Sequence, residues 1–403
     1  MDSQELIKPL LIENETKLIL LVMDGLGGIP DPVLRKTELE TAATPNLDGI
    51  TSHGICGLAD IVAPGITPGS GPGHLALFGY DPLKYEIGRG VLEALGMDLE
   101  LTPDDVAVRG NYATMDARGI ITDRRAGRIA TERNVELCKL LQSAIQEISG
   151  VRVLITPGKE HRFVILFRGK GLSGDLNDTD PQKEGLPLKP PQGTTPEAKR
   201  TAEVVSEFIR QANEVLKSQH PANSVLLRGF AKHPDIPSMK EAYGLRACAI
   251  ATYPMYRGLA QLVGMEVLRT GETVEDEFKT LVENYKKYDF FFLHVKKTDS
   301  YGEDGNFRKK VEVILEVDAQ VPKLIALDPD VLVVTGDHST PAVLKSHSWH
   351  PVPYLLWAKT CIPDEVSEFS ERSCAKGMLG RFPAVEGIRL MLAHAQRLAK
   401  FGA

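Results

Sequence analysis

Four short segments of this 403-residue chain gather the side chains best suited to chemistry. In TGDHSTPAVLKSHSWHPVP (335–353), Asp337 and His338 are adjacent, His347 follows nine positions after His338, and His350 lies beyond it. An Asp-His pair closing an apolar run, with more histidine nearby, is the make-up of a divalent-metal ligand set, whereas a lone histidine is more often a core residue. In KKTDSYGEDGNF (296–307), Asp299 and Glu303 stand four apart, so on a helical turn both carboxylates face one point and need solvent or a metal to relieve their repulsion. In TPGSGPGHLALFGYDP (67–82), Ser70 sits among Gly69, Gly71, Pro72 and Gly73, just before a helical run starting near His74. A hydroxyl beside the free N–H groups of a helix start is placed where developing negative charge is stabilised, although an isolated serine there reads equally as an N-cap. The segment is neither a G-x-S-x-G elbow nor a Walker A loop. Finally, MDGLGG sets Asp24 at the end of the first apolar run, a position that on its own suits a turn residue.

The runs that precede these residues explain how they are held. Lys17–Met23 leads into Asp24-Gly25, Asp289–Val295 into Thr298-Asp299, and Val331–Val334 into Thr335-Gly336-Asp337-His338, while Pro353–Trp357 reads as a further strand. Short apolar runs buried on both faces predict an α/β fold with a largely parallel sheet flanked by helices, and such sheets bind ligands at their carboxyl edge. The middle of the chain reads differently. Val151–Ile155 and Arg162–Phe167, separated by Pro157-Gly158-Lys159, predict a hairpin, and Pro196–Leu216 predicts a helix with apolar residues at helical spacing. A Gly-, Asp-, Pro- and Lys-rich loop, 169–195, lies between them and is long enough to suggest function. The expected organisation is therefore a discontinuous core, 1–99 with 236–403, and an inserted smaller α+β domain, 100–235.

Composition narrows the class. With 54 acidic against 47 basic residues the formal net charge is −7, which is no footprint for nucleic acid. The longest apolar runs fall far short of the ~20 residues that span a bilayer, and the N-terminus lacks the apolar stretch of a signal peptide. Cys56, Cys138, Cys248, Cys361 and Cys374 are odd in number and scattered, without C-x-x-C, which predicts reduced thiols in a cytoplasmic protein.

Taken together, MDGLGG, TPGSGPGHLALFGYDP, RGNYATMD, DRRAGR, LLRG, KKTDSYGEDGNF and TGDHSTP…SHSWHPVP resemble the archaeal-type, cofactor-independent (2,3-bisphosphoglycerate-independent) phosphoglycerate mutases of the alkaline phosphatase superfamily, over nearly the whole chain. The resemblance implies an alkaline-phosphatase-like core and two divalent metal ions, Mn²⁺ first and Mg²⁺, Co²⁺ or Zn²⁺ after it, with no 2,3-bisphosphoglycerate. One metal would be held by Asp24, Ser70, Asp337 and His338, the other by Asp299, His347 and the residue four after Asp299. That residue is histidine in the family pattern and Glu303 here, a hard anionic ligand in place of an imidazole; His350 is a neighbour that could substitute. Ser70 would be the nucleophile that carries the phosphoryl group between the 3- and 2-hydroxyls of a retained glycerate, a small-molecule substrate bound without nucleic acid or membrane. Arg109, Asn111, Arg124, Arg125, Arg128 and Arg228 would hold the substrate's anionic groups, since guanidinium suits carboxylate and phosphate. Outside the resemblance, a run such as DRRAGR reads as a solvated turn. A metal-dependent phosphatase or other phosphotransferase of the superfamily, and a catalytically silent metal-stabilised binding protein, are the competing readings. Oligomeric state is left open, a homo-oligomer included.

Overall fold

The computed structural model describes residues 3–402. Its strands, in chain order, are β1 (Leu18–Met23), β2 (Ile55–Asp60), β3 (Asp105–Met115), β4 (Ile120–Asp123), β5 (Glu147–Ile148), β6 (Val151–Pro157), β7 (Arg162–Arg168), β8 (Leu186–Pro187), β9 (Ser224–Lys232), β10 (Ala247–Ala251), β11 (Glu266–Val267), β12 (Phe290–Val295), β13 (Val331–Thr335), β14 (Val352–Ala358) and β15 (Gly380–Pro383). They form two sheets in two compact units, Met1–Glu86 with Ile236–Ala403, and Ile87–Asp235.

The first unit carries an eight-stranded sheet in the order β11-β10-β12-β1-β13-β14-β2-β15. Every pairing is parallel except the two made by β14, which runs against both β13 and β2. Strands β1, β12 and β13 are buried at every residue, as a sheet covered on both faces requires. Because the three are adjacent and parallel, their carboxyl ends lie side by side and project the segments that begin at Asp24, Lys296 and Gly336 along one edge. The core on one face packs Ile19, Leu21, Phe291, Leu293 and Leu332 against Phe278, Val313, Ile314 and Val317 of the helices Val274–Asn284 and Phe307–Ile325. Two further helices position side chains for the site, Ser70–Leu77 and Lys297–Glu303.

The second unit is built on an antiparallel sheet, β5-β6-β7-β3-β4-β8, with β9 also paired to β3. The hairpin β6–β7 and the helix Pro196–Leu216 fall where the sequence places them. That helix starts with Pro196 and is capped by the Thr195 hydroxyl, which accepts from the Ala198 N–H. It buries Val204, Val205, Phe208 and Ala212 against Val106, Phe167 and Val225 of the sheet. The helix Arg89–Gly96 packs on β3 and β9 in the same unit.

Among the described residues no helix is long and apolar enough to cross a membrane. All five cysteines are free.

Candidate functional site

The carboxyl edge of β12, β1 and β13 brings together two overlapping groups of potential ligands. Asp24, Asp337 and His338 form one, and Asp299, His338 and His347 the other; within each, the ligand atoms lie within 4.8 Å of one another. In the first, His338 Nε2 stands 3.4 Å from Asp24 Oδ1 and 3.1 Å from Asp337 Oδ2, all three side chains being fully buried. Ser70, the first residue of its helix, turns its Oγ to within 3.3 Å of the same His338 nitrogen. In the second, His347 Nε2 lies 3.6 Å from Asp299 Oδ1 and 3.8 Å from Glu303 Oε1. His347 Nδ1 is 3.0 Å from the carbonyl of Pro68 and can only donate to it, so in the neutral ring the Nε2 lone pair faces the same point as the carboxylate oxygens, an arrangement that a shared cation would satisfy. Glu303 is the most open of these groups, its side chain 55% exposed.

The electrostatics are those of an acidic pocket waiting for positive charge. Both oxygens of Asp24 and Oδ2 of Asp337 have no hydrogen-bond partner among the described residues although they are buried. Burial and the facing Asp337 raise the Asp24 pKa, but His294, Lys296 and His338 outweigh them and hold it below the usual range. For His338, burial acts downward and is overcome by Asp337, Asp24 and Asp299, which push it up to about 9. Surroundings that retain a proton at His338 favour any cation in its place. Three carboxylates and two imidazoles whose ligand atoms converge, with oxygens of Asp24 and Asp337 left unpartnered, fit a divalent cation of the Mn²⁺, Mg²⁺ or Zn²⁺ type.

Lys296 is the fixed cation of the site. Its ammonium sits 3.1 Å from Asp24 Oδ2, 2.5 Å from Asp299 Oδ2 and 3.1 Å from the Tyr256 hydroxyl. Burial works against its charge, yet Asp24 and Asp299 hold its pKa well above that of an ordinary lysine. Behind the carboxylates are two fully buried histidines. His74 Nδ1 is 3.2 Å from Asp337 Oδ2 and 2.9 Å from the Ser70 carbonyl, and His294 Nε2 is 3.2 Å from Asp24 Oδ2, with the Tyr256 ring packed 4.0 Å from its own. Burial drives His74 down to about 4 despite Asp337, so it is a neutral ring whose Nδ1 donates to the Ser70 carbonyl and lies beside the Asp337 carboxylate.

The second unit assembles a separate cationic cluster. Arg109 of β3 is opposite Arg228 of β9, and Asn111 is opposite Arg162 of β7. Arg109 Nε and the buried Asn111 Oδ1 have no partner among the described residues. Burial lowers the Arg109 pKa, and Arg162, Arg228 and Arg89 push the same way against Glu93. Burial also drives His161 down to about 4, helped by Arg162, Arg125 and Arg109. Like charges gathered with open donors suit an anionic ligand.

A family model described as 2,3-bisphosphoglycerate-independent phosphoglycerate mutase matches residues 51–223. Over all of both chains, the sequence is 54% identical to a probable 2,3-bisphosphoglycerate-independent phosphoglycerate mutase of Thermotoga maritima. This chain belongs to that family of enzymes. A relative of the same name from Aquifex aeolicus is 53% identical over 99% of this chain and all of its own. Among solved structures, the cofactor-independent phosphoglycerate mutase of Thermoplasma acidophilum covers 94% of this chain and is itself wholly covered, with a TM-score of 0.79 at 31% identity. A protein from Pyrococcus horikoshii gives the same TM-score at 30% identity, over 97% of this chain and all of that one.

In this member of the mutase family, Asp24, Ser70, Asp299, Asp337, His338 and His347 meet at one place, with Glu303 at its rim. His350 takes no part in either ligand group. Its Nδ1 pairs with the Ser348 hydroxyl at 3.0 Å and its ring stacks on Trp349. The arginines divide. Arg109 and Arg228 sit on facing strands, Arg228 also lying 3.6 Å from both Asp178 and Asp180; Arg125 and Arg128 are exposed, and Arg124 makes a bidentate pair with Asp180 at 2.8 and 2.7 Å. Sequence reasoning missed Lys296, His294 and Tyr256 as site residues. Lys296 opens the segment KKTDSYGEDGNF, one residue past the end of β12, and that placement is its signal in the sequence.

Proposed function

We propose that this chain interconverts 3-phosphoglycerate and 2-phosphoglycerate without 2,3-bisphosphoglycerate, through a phosphoserine at Ser70. The observation that carries the reading is the Ser70 hydroxyl at a helix start, 3.3 Å from His338 Nε2 and beside two groups of metal-type ligands. Asp24, Ser70, Asp337 and His338 would hold one divalent cation, and Asp299, Glu303 and His347 the other. Bound there, such cations lower the pKa of a coordinated hydroxyl and neutralise charge on a transferring phosphoryl group.

The chain's own residues do the rest. Ser70 Oγ forms a bond to phosphorus as the bond from phosphorus to the glycerate 3-oxygen breaks, and the Ser70 proton ends on that oxygen. In the return step the 2-hydroxyl attacks the phosphoserine, gives up its proton, and Ser70 regains one. Lys296, fixed between Asp24 and Asp299, supplies a permanent positive charge for the phosphoryl oxygens. Retaining the glycerate between the two steps is what separates a mutase from a phosphatase. We assign the recognition of its anionic groups to the inserted unit, through Arg109, Asn111, Arg125, Arg128 and Arg228, with Arg124 supporting the site through Asp180. Five free thiols and the predicted substrate favour a cytoplasmic enzyme.

The test is an enolase-coupled assay with 3-phosphoglycerate and Mn²⁺, alongside intact-mass analysis of rapidly quenched enzyme. We expect turnover without added bisphosphoglycerate, loss on chelation, and a phosphoryl adduct on Ser70 that disappears in Ser70→Ala. Orthophosphate as the main product, or an active Ser70→Ala enzyme, defeats the proposal.

A further inference from the structure

We propose that Thr340 is a positioning residue that fixes the tautomer of His338 and joins the two halves of the metal centre through one hydroxyl. This inference rests on the metal-centre reading above and goes beyond it. Thr340 is fully buried in the segment after β13. Its Oγ1 lies 2.7 Å from Asp299 Oδ1 and 2.9 Å from His338 Nδ1, so one atom touches a ligand from each group.

The proton count decides the directions. A carboxylate only accepts, so the single hydroxyl proton of Thr340 is donated to Asp299. With that proton committed, Oγ1 can meet His338 Nδ1 only as an acceptor, and Nδ1 must carry hydrogen. Nε2 is then the nitrogen whose proton a metal would displace, and it faces Asp24, Asp337 and Ser70, which assigns His338 to their half of the centre and not to that of Asp299 and His347.

The surroundings hold the hydroxyl in place. Gly25 is at φ +65°, and a Cβ there would come within 2.6 Å of Thr340 Oγ1 and 2.9 Å of Asp299 Oδ1. A Cβ on Gly302 would come within 2.9 Å of Thr340 Cγ2 and 2.3 Å of its carbonyl oxygen. The glycine of MDGLGG and the glycine of DSYG therefore form the two walls of a slot that fits this side chain. The Thr340 backbone is tied as well: its N–H donates to the carbonyls of Gly25 and Gly27 at 3.2 and 3.0 Å, and its carbonyl accepts from the buried Lys310 ammonium at 2.8 Å.

Thr340→Val preserves shape and removes the hydroxyl, whereas Thr340→Ser keeps it. Mn²⁺ titrations by calorimetry should give a 10- to 100-fold weaker affinity for Thr340→Val at both sites, the range typical of losing a partner that orients a metal ligand. Thr340→Ser should stay within about threefold of wild type. In Zn²⁺-loaded, ¹⁵N-histidine-labelled wild type, long-range ¹H–¹⁵N spectra should place the His338 proton on Nδ1. This measurement holds even if the valine variant does not fold. Wild-type affinity in Thr340→Val, or a proton on Nε2 in the wild type, overturns the inference while leaving the metal centre intact. Wild-type protein that takes up no Mn²⁺ overturns the metal-centre reading itself.

Discussion

Replacing Lys310 by methionine tests whether the segments bearing Asp24 and His338 are locked together by a single buried ammonium. Lys310 is fully buried in the helix Phe307–Ile325 and donates to the carbonyls of Gly25 and Thr340 at 2.8 Å and of Gly27 at 3.3 Å. Burial holds its pKa below that of an ordinary lysine, opposed by Glu38, Glu371, Asp299 and Asp24. Methionine keeps the length of the stem and removes the charge. The Gly25 and Gly27 carbonyls retain the Thr340 N–H, but the Thr340 carbonyl loses its donor, a loss of ~1–3 kcal/mol for a buried acceptor. The larger effect falls on Glu38, which is 1% exposed and already has one oxygen without a partner. Removing one member of a buried charge set typically costs ~3–5 kcal/mol, and because methionine escapes the desolvation of the ammonium we take that range as the total. For a folding unit of this size ~1 kcal/mol moves Tm by about 2–4 °C, so scanning calorimetry of the metal-free protein should record a fall of about 6–20 °C. Adding Glu38→Gln to Lys310→Met should recover part of it. A fall under about 2 °C, or no recovery in the double variant, would refute the reasoning.

Glu303→His should keep activity and move the preferred metal from Mn²⁺ toward Co²⁺ or Zn²⁺, because an imidazole replaces a carboxylate beside His347; an unchanged metal ranking in titrations would show that Glu303 is not a ligand. Arg109→Ala should raise KM for 3-phosphoglycerate by about 10- to 150-fold, the loss of one charge-assisted hydrogen bond, whereas Arg124→Ala should chiefly lower Tm by removing the bidentate partner of Asp180 and leaving it Arg228 at 3.6 Å and the Gln182 N–H. Unchanged KM in Arg109→Ala places substrate recognition elsewhere. Burial pushes the Glu277 carboxyl up from 4.5 to about 8, so the folded state keeps a proton that the unfolded chain has released. Stability should therefore fall as pH rises through that window, by up to ~1.4 kcal/mol per pH unit, and level off above it. Glu277→Gln should flatten the dependence, and equal slopes in urea unfolding between pH 5 and 8 would contradict this assignment.

The candidate site was readable because each of its residues is marked locally in the sequence. Asp24, Asp299 and the Asp337-His338 pair each follow a run of buried strand residues, and a parallel sheet with adjacent strands puts such positions together. What the sequence could not carry was anything decided by tertiary approach. Lys310 acts on carbonyls of two other segments, and nothing in FRKKVEV marks one lysine as buried. Thr340 could have been suspected, since a hydroxyl two residues after a histidine can reach its second nitrogen, but its bond to Asp299 spans 41 positions. The run of arginines hid a division of labour, because the Asp180 that engages Arg124 lies 56 residues away. An apolar run also gives no strand direction, so the reversal of β14 had no signature.

The position of β1 has a consequence for how the protein is made. This strand, LILLVM, lies between β12 and β13, its register partners beginning at Phe290 and Val331. All strands of the inserted unit, by contrast, fall within Ile87–Asp235 and can pair among themselves as soon as they emerge. At ~5–20 residues synthesised per second, β1 must wait roughly 15–60 s for the second of its neighbours. Until β12 emerges an entirely apolar strand has both edges unpaired, and one edge stays open until β13 follows, the state most open to aggregation. Nascent chains that stop before β13 should thus hold a folded inserted unit and an unprotected N-terminal strand, and they should be strong clients for ribosome-associated chaperones.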